Sequence, residues 1–150
     1  MKFITILFAA LILLTSCGKK EFVKERAEKP LFEYKEFEHG LNPKSITLKI
    51  YKDGYVIFLS KDEYSGAEKK KAEYLPGSDV EGLLNLFIEE DFLNVKPLSL
   101  PAIYGGILIS ITFNHKGNSK TIKFLKGTKI PFSVEKCWDG LDKILSQFSM

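Results

Sequence analysis

The chain contains few of the side chains that usually carry catalysis. Its two histidines, His39 and His115, are the candidates for a general base. Its two cysteines, Cys17 and Cys137, are the candidates for a nucleophile. The acidic run 89–91 offers oxygen ligands for a cation. Each of these residues has to be weighed against the structural role that its position in the sequence indicates.

Local sequence favours structural roles for these side chains. Both histidines are followed by turn residues, so we interpret His39 and His115 as solvated loop positions. Cys137 falls on an apolar helical stripe and is predicted to be a small buried hydrophobe, whereas the acidic run ends a predicted helix and is interpreted as solvated. The spacings typical of zinc sites, P-loops, nucleophile elbows and dinucleotide sites do not occur. The sequence therefore predicts no catalytic residue, no metal site and no cofactor.

The amino-terminal segment has the features of an export signal. Lys2 carries a positive charge, and the apolar run from Phe3 to Leu14 is interrupted only by Thr5. A helix of that length is much shorter than the ~20 apolar residues needed to span a membrane. Residues 1–16 are therefore predicted to be a signal peptide.

The residues that close this run, Leu14-Thr15-Ser16-Cys17, resemble the lipobox of bacterial lipoproteins. The resemblance implies cleavage between Ser16 and Cys17, attachment of diacylglycerol to the Cys17 thiol, and acylation, for example with palmitate, of the new amino terminus. Two or more acyl chains hold a protein firmly at a membrane. The residue after Cys17 is Gly18 and not the Asp that retains enterobacterial lipoproteins in the inner membrane. The resemblance therefore favours the outer membrane of the cell envelope.

The rest of the chain divides into a tether and one domain. Residues 17–30 comprise Cys17 and a charged segment without apolar periodicity, which we interpret as a solvated tether. Residues 31–150 are enough for a single α+β domain, and we expect a monomer. The net charge of +3 is too small to indicate binding to nucleic acid.

Two hairpins are predicted within this domain. Asp53-Gly54 is typical of a two-residue type I′ turn, which would pair Ile50 with Ile57 and Leu48 with Leu59. In the second hairpin, a turn at Lys116-Gly117 would pair residues 111 and 122, whereas a turn centred at 117–118 would shift the pairing by two residues. Both choices keep the same faces of the strands.

Two further strands and two helices complete the expected fold. Residues 31–38 are interpreted as an edge strand, and the lysine-rich run 68–74 as a charged edge strand or, alternatively, an anion-binding patch. One helix is predicted from Asp79 to Glu90, with a capping box at residues 78–81 and Gly82 close to the sheet. A stronger amphipathic helix runs through Cys137 and Trp138 to Phe148. The prediction is an α+β fold in the order β-β-(β)-α-β-β-α, with a mostly antiparallel sheet built from two hairpins and both helices on one face.

Together with its signal peptide and tether, the domain resembles the small uncharacterised lipoproteins of Bacteroidota-type Gram-negative bacteria. The resemblance rests on the order of the elements, the hairpin at Asp53-Gly54 and the closing helix with Trp138. It implies an α+β lipoprotein domain and brings no activity with it.

The loop 96–106 carries the residues most suited to partner binding. Two prolines and a glycine pair prevent regular structure, yet the loop contains four large apolar side chains, Leu98, Leu100, Ile103 and Tyr104. These either pack over the core or contact a partner. We expect a membrane-tethered binding or accessory module that recognises an envelope protein or glycan through its sheet surface or this loop. The alternative is an envelope hydrolase or transferase whose active site has an unfamiliar pattern.

Overall fold

The structure is a computed structural model that describes residues 26–100 and 105–149. Within these residues, six strands and two helices follow one another. They are β1 (Phe32–His39), β2 (Lys44–Ile50), β3 (Tyr55–Asp62), β4 (Glu68–Tyr74), α1 (Gly77–Glu89), β5 (Gly106–His115), β6 (Asn118–Leu125) and α2 (Phe132–Phe148). A short 3₁₀ turn, Phe92–Asn94, follows α1. No helix in the described ranges has both the length and the apolar character needed to cross a membrane.

The strands form one antiparallel sheet in the order β4-β3-β2-β1-β5-β6. The interpretation of residues 31–38 as an edge strand is wrong, because β1 pairs with β2 on one side and with β5 on the other. The charges of Glu33 and Lys35 do not mark an edge; they lie on the face of the sheet that the helices leave uncovered. The lysine-rich strand β4 is an edge strand, as the sequence predicts.

Both helices pack against the same face of the sheet, which confirms the predicted α+β fold. Phe87 of α1 lies 4.8 Å, centroid to centroid, from Phe32 of β1. From α2, Phe148 stacks on Phe58 of β3 at 6.0 Å. One cluster of buried side chains joins all of these elements, including the fully buried Phe113 of β5. We call this the covered face of the sheet, and its opposite the open face.

The predicted register of the first hairpin is wrong by one residue. Ile50 pairs with Val56 and Leu48 with Phe58, so Ile57 and Leu59 lie on the open face instead of the covered one. The loop has three residues, Lys52–Gly54, because the Tyr51 N–H donates to the Tyr55 carbonyl oxygen at 2.8 Å. Only Gly54 of this loop has a positive φ, at 87°, whereas a type I′ turn needs two such residues.

The predicted register of the second hairpin is confirmed for the turn at Lys116-Gly117. Ile111 pairs with Ile122, and both turn residues have positive φ, 48° and 80°. That is the backbone that a two-residue type I′ turn requires.

Helix α1 begins differently from the prediction. Helix α1 starts at Gly77, and its N-cap is Pro76 without a side-chain cap, so the predicted capping box at residues 78–81 does not form. Gly82 is exposed and has nothing near the position of an added Cβ, so the expected approach to the sheet is also wrong. A close approach between the two helices occurs at Gly140 of α2, where a Cβ would lie 2.8 Å from Leu86 of α1.

Candidate binding groove on the open face of the sheet

An open groove of about 600 Å³ lies on the open face of the sheet. It crosses β1, β5 and β6, and residues 29 and 30 form one end of it. Most of its side chains are lysine, hydroxyl or amide side chains, one is acidic and three are apolar. They are Lys29, Pro30, Glu33, Lys35, Phe37, Leu108, Ser110, Thr112, Asn114, Ser119, Thr121 and Lys123.

A row of two lysines and a serine crosses the middle of the groove. Ser110 of β5 pairs with Lys35 of β1 on one side and with Lys123 of β6 on the other. Because neighbouring strands lie ~4.8 Å apart, the Cα atoms of the two lysines are separated by about 10 Å, with the serine between them. The row thus places two positive charges on either side of one hydroxyl group.

The rows on either side of this one differ in character. Towards residue 29, Thr112 and Thr121 share a hydrogen bond of 2.8 Å between their hydroxyl oxygens. Glu33 lies in that row and forms an ion pair of 3.0 Å with Lys35. In the opposite direction, Phe37 pairs with Leu108, and both side chains are half-buried. The groove therefore changes from polar to cationic to apolar along the strands.

Residues 26–30 are fixed to the body of the protein. The Arg26 guanidinium donates to the Asp53 carboxylate at 2.6 Å and to the Tyr74 hydroxyl at 3.1 Å. It lies over the Tyr55 ring at 4.4 Å from the centroid, a cation–π contact. The Asn114 side-chain amide donates to the Pro30 carbonyl oxygen at 2.8 Å. The end of the predicted tether thus contacts the sheet and closes one end of the groove.

The Arg26 contact shifts the ionisation of its partner. The hydrogen bond from Arg26 lowers the pKa of Asp53 below its ordinary value of 3.8, although partial desolvation opposes this. The same pair raises the pKa of Arg26. Both side chains are therefore charged at neutral pH, and their contact weakens only in acid.

The structure separates the two histidines. They do not lie in loops, as we interpreted them, because His39 ends β1 and His115 ends β5. His39 pairs with Gly106, nine residues before His115 on β5, so the two lie about 30 Å apart. Each ring rests on a neighbouring phenylalanine, His39 on Phe37 at 4.6 Å and His115 on Phe113 at 5.7 Å. They do not form a common site.

The contacts of Cys137 and of the acidic run 89–91 indicate structural roles. Cys137 is fully buried in the core cluster, and burial, with a smaller contribution from Glu90, raises the pKa of its thiol to about 12. Glu90 forms an ion pair with Lys136 at 2.5 Å. Asp91 accepts a hydrogen bond from Asn94 at 2.7 Å. No group of three or more His, Cys, Asp or Glu side chains suited to a metal occurs among residues 26–100 and 105–149.

The candidate residues of the loop divide into two sets. Leu98 is partly buried and packs against the core, while Leu100 is 40% exposed. Ile103 and Tyr104 lie outside the described residues, as do Ser16 and Cys17 of the predicted lipobox.

Sequence reasoning did not identify the groove residues. Ser110 and Lys123 alternate with buried isoleucine and phenylalanine, and the predicted second hairpin already sets them opposite each other. Lys35 joins them only through the pairing of β1 with β5, which brings together residues 75 positions apart (110 − 35). No local sequence signal reports that pairing.

No protein-family model matches the chain, and no curated protein matches it.

Proposed function

We propose that the protein is a lipid-anchored module of the cell envelope that binds a protein or glycan partner on the open face of its sheet. One observation carries the binding part of this proposal. Both helices lie on the covered face, and the opposite face presents a groove of about 600 Å³ lined by polar and charged side chains. A concave surface with several convergent polar groups is the usual form of a binding site.

The anchor in this proposal is Cys17, acylated after cleavage behind Ser16, and the outer membrane is the favoured location. Support comes from the lipobox-like Leu14-Thr15-Ser16-Cys17 at the end of a short apolar run. The groove lies close to the segment that would lead to the anchor, because Lys29 and Pro30 line it. A partner in the groove would therefore be held near the membrane.

The anchor is tested by the mass of the protein extracted from membranes with detergent. We expect a chain that begins at Cys17 and carries acyl groups. The matched variant Cys17→Ser should lose these groups and leave the membrane fraction. A soluble wild-type chain with an unmodified thiol at position 17 would contradict the proposed anchor.

The binding role is tested by a photo-crosslinking amino acid placed in the groove of the protein on intact cells. Position 121 is suitable, since its side chain is exposed and lines the groove. We expect it to capture an envelope component, and position 81 on the exposed side of α1 to serve as the control. Equal capture at both positions, or none at 121, would contradict a partner in the groove.

A further inference from the structure

We infer that the groove binds an acidic glycan, with an anionic group of one sugar seated over Ser110 between Lys35 and Lys123. This inference rests on the proposed binding function and names the class of its ligand. The anionic group is a carboxylate or a phosphate. The neighbouring parts of the sugar extend towards the threonine pair on one side and towards the phenylalanine on the other.

Charge gives the first argument. The groove contains Lys29, Lys35 and Lys123 against a single acidic residue, Glu33. Glu33 is already paired with Lys35 at 3.0 Å, whereas Lys29 and Lys123 form no salt bridge within the described residues. An anion of the ligand therefore meets an excess of positive charge and displaces no other carboxylate from Lys123.

The spacing of the lysines gives the second argument. Lys35 and Lys123 stand on either side of Ser110 on the same face, with about 10 Å between their Cα atoms. The flexible side chains can bring both ammonium groups onto an anion above the serine, and the hydroxyl donates a further hydrogen bond. Three donors then converge on one group.

The surrounding side chains favour a sugar over a peptide. A peptide that adds to a sheet needs free main-chain groups, but β1 and β5, which hold Lys35 and Ser110, both have partners on their two sides, and only β6 at the rim of the groove is an edge strand. The groove instead presents side-chain hydroxyl and amide groups, at Thr112, Thr121 and Asn114, which suit the hydroxyl groups of a sugar. The half-buried Phe37 offers an aromatic surface beside the lysine row for the apolar face of a sugar ring.

The experiment measures the affinity of the full chain in detergent for oligogalacturonate, a glycan with one carboxylate per sugar, by titration calorimetry. A neutral malto-oligosaccharide of equal length and inorganic phosphate are the comparison ligands. We expect binding of oligogalacturonate only, with Lys123→Gln and Lys35→Gln each weakening it about tenfold or more. Lys70→Gln is the control, since Lys70 is exposed and lies on the same face outside the groove.

Three results would overturn the inference. They are equal affinity for the neutral oligosaccharide, equal weakening by Lys70→Gln, and full displacement of the glycan by inorganic phosphate at similar concentration. Ser110→Ala should weaken binding without altering the fold, which the circular dichroism spectrum checks.

Capture on intact cells separates this inference from the proposed function. If position 121 captures a protein and the acidic oligosaccharide does not bind, the ligand class is wrong and the binding module stands. If position 121 captures nothing and the acidic oligosaccharide does not bind, both proposals are wrong.

Discussion

The covered and open faces of the sheet come from the same six strands, since successive residues of a strand point to opposite faces. On β5, Phe113 is fully buried beneath Phe87 and Phe92, whereas the next residue along the strand towards its start, Thr112, faces the groove. The covered face buries aromatic and aliphatic side chains in one cluster. The residues that stabilise the core and those that line the groove thus alternate along the same strands, and substitutions can separate their effects.

The largest expected effect tests this division on two neighbouring residues. Phe113→Ala should lower the free energy of unfolding by about 3–5 kcal/mol, because it leaves a cavity among packed rings. Thr112→Val should change it by no more than about 0.5 kcal/mol. Urea unfolding of both variants measures the difference. Similar losses in the two would show that the open face is packed as tightly as the covered one.

A glycine pair tests how closely the helices on the covered face approach each other. Gly82→Ala should raise stability by about 0.5–1 kcal/mol, since alanine favours the helix and the site is open. Gly140→Ala gains the same preference, but its Cβ would lie 2.8 Å from Leu86 and 3.0 Å from Leu83. We therefore expect it to be about 1–2 kcal/mol less stable than Gly82→Ala. Equal thermal stabilities would contradict the close contact.

The reactivity of the Cys137 thiol measures whether solvent and reagents reach the core beneath the covered face. Its folded pKa of about 12 exceeds the ordinary 9.0, so its contribution to stability is complete below pH 9 and is lost as the pH rises towards 12. At pH 8 a thiol reagent should label the native protein about 100-fold or more slowly than the urea-unfolded protein. The unfolded chain should show one reactive thiol if Cys17 is acylated. Rapid labelling of the native protein would contradict a buried Cys137.

The smallest expected effect concerns the rim of the open face. Because Arg26 lowers the pKa of Asp53, this carboxylate stabilises the fold above pH 3.8 and loses that contribution as the pH falls through its folded pKa. Arg26→Gln should raise the pKa of Asp53 back towards 3.8, measured by an NMR titration of the carboxyl carbon. Glu28→Gln is the control, since Glu28 contacts Arg26 but not Asp53. An unchanged pKa in Arg26→Gln would contradict the pairing.

The two hairpins show why some of this fold can be predicted from sequence. In the second, Ile111 and Ile122 alternate with polar residues, so the pattern predicts which face of each strand is buried, and the turn at Lys116-Gly117 selects the register. In the first, both sides of β3 are apolar, with Val56 and Phe58 on one and Ile57 and Leu59 on the other. The hydrophobic pattern alone could not distinguish these two registers. The register that forms is set by the loop, which has three residues instead of the predicted two.

The full set of groove residues could not be predicted from local sequence patterns. The alternation of β5 and β6 predicts that Ser110 and Lys123 share a face, and the register of their hairpin sets them side by side. The position of β1 beside β5 depends on packing across the whole sheet. The charges Glu33 and Lys35 suggested an edge, although a central strand with one open face carries the same pattern.

The attachment of Arg26 at the corner of the sheet has a mechanical consequence. A pull on the chain from a membrane anchor would act first on the contacts of Arg26 with Tyr55 and Asp53, and β1 would stay unloaded. Rupture of these contacts would release residues 26–30, which lengthen the chain by up to ~17 Å at ~3.4 Å per residue. The contacts of Arg26 would then break before the pull acts on the hydrogen bonds of the sheet.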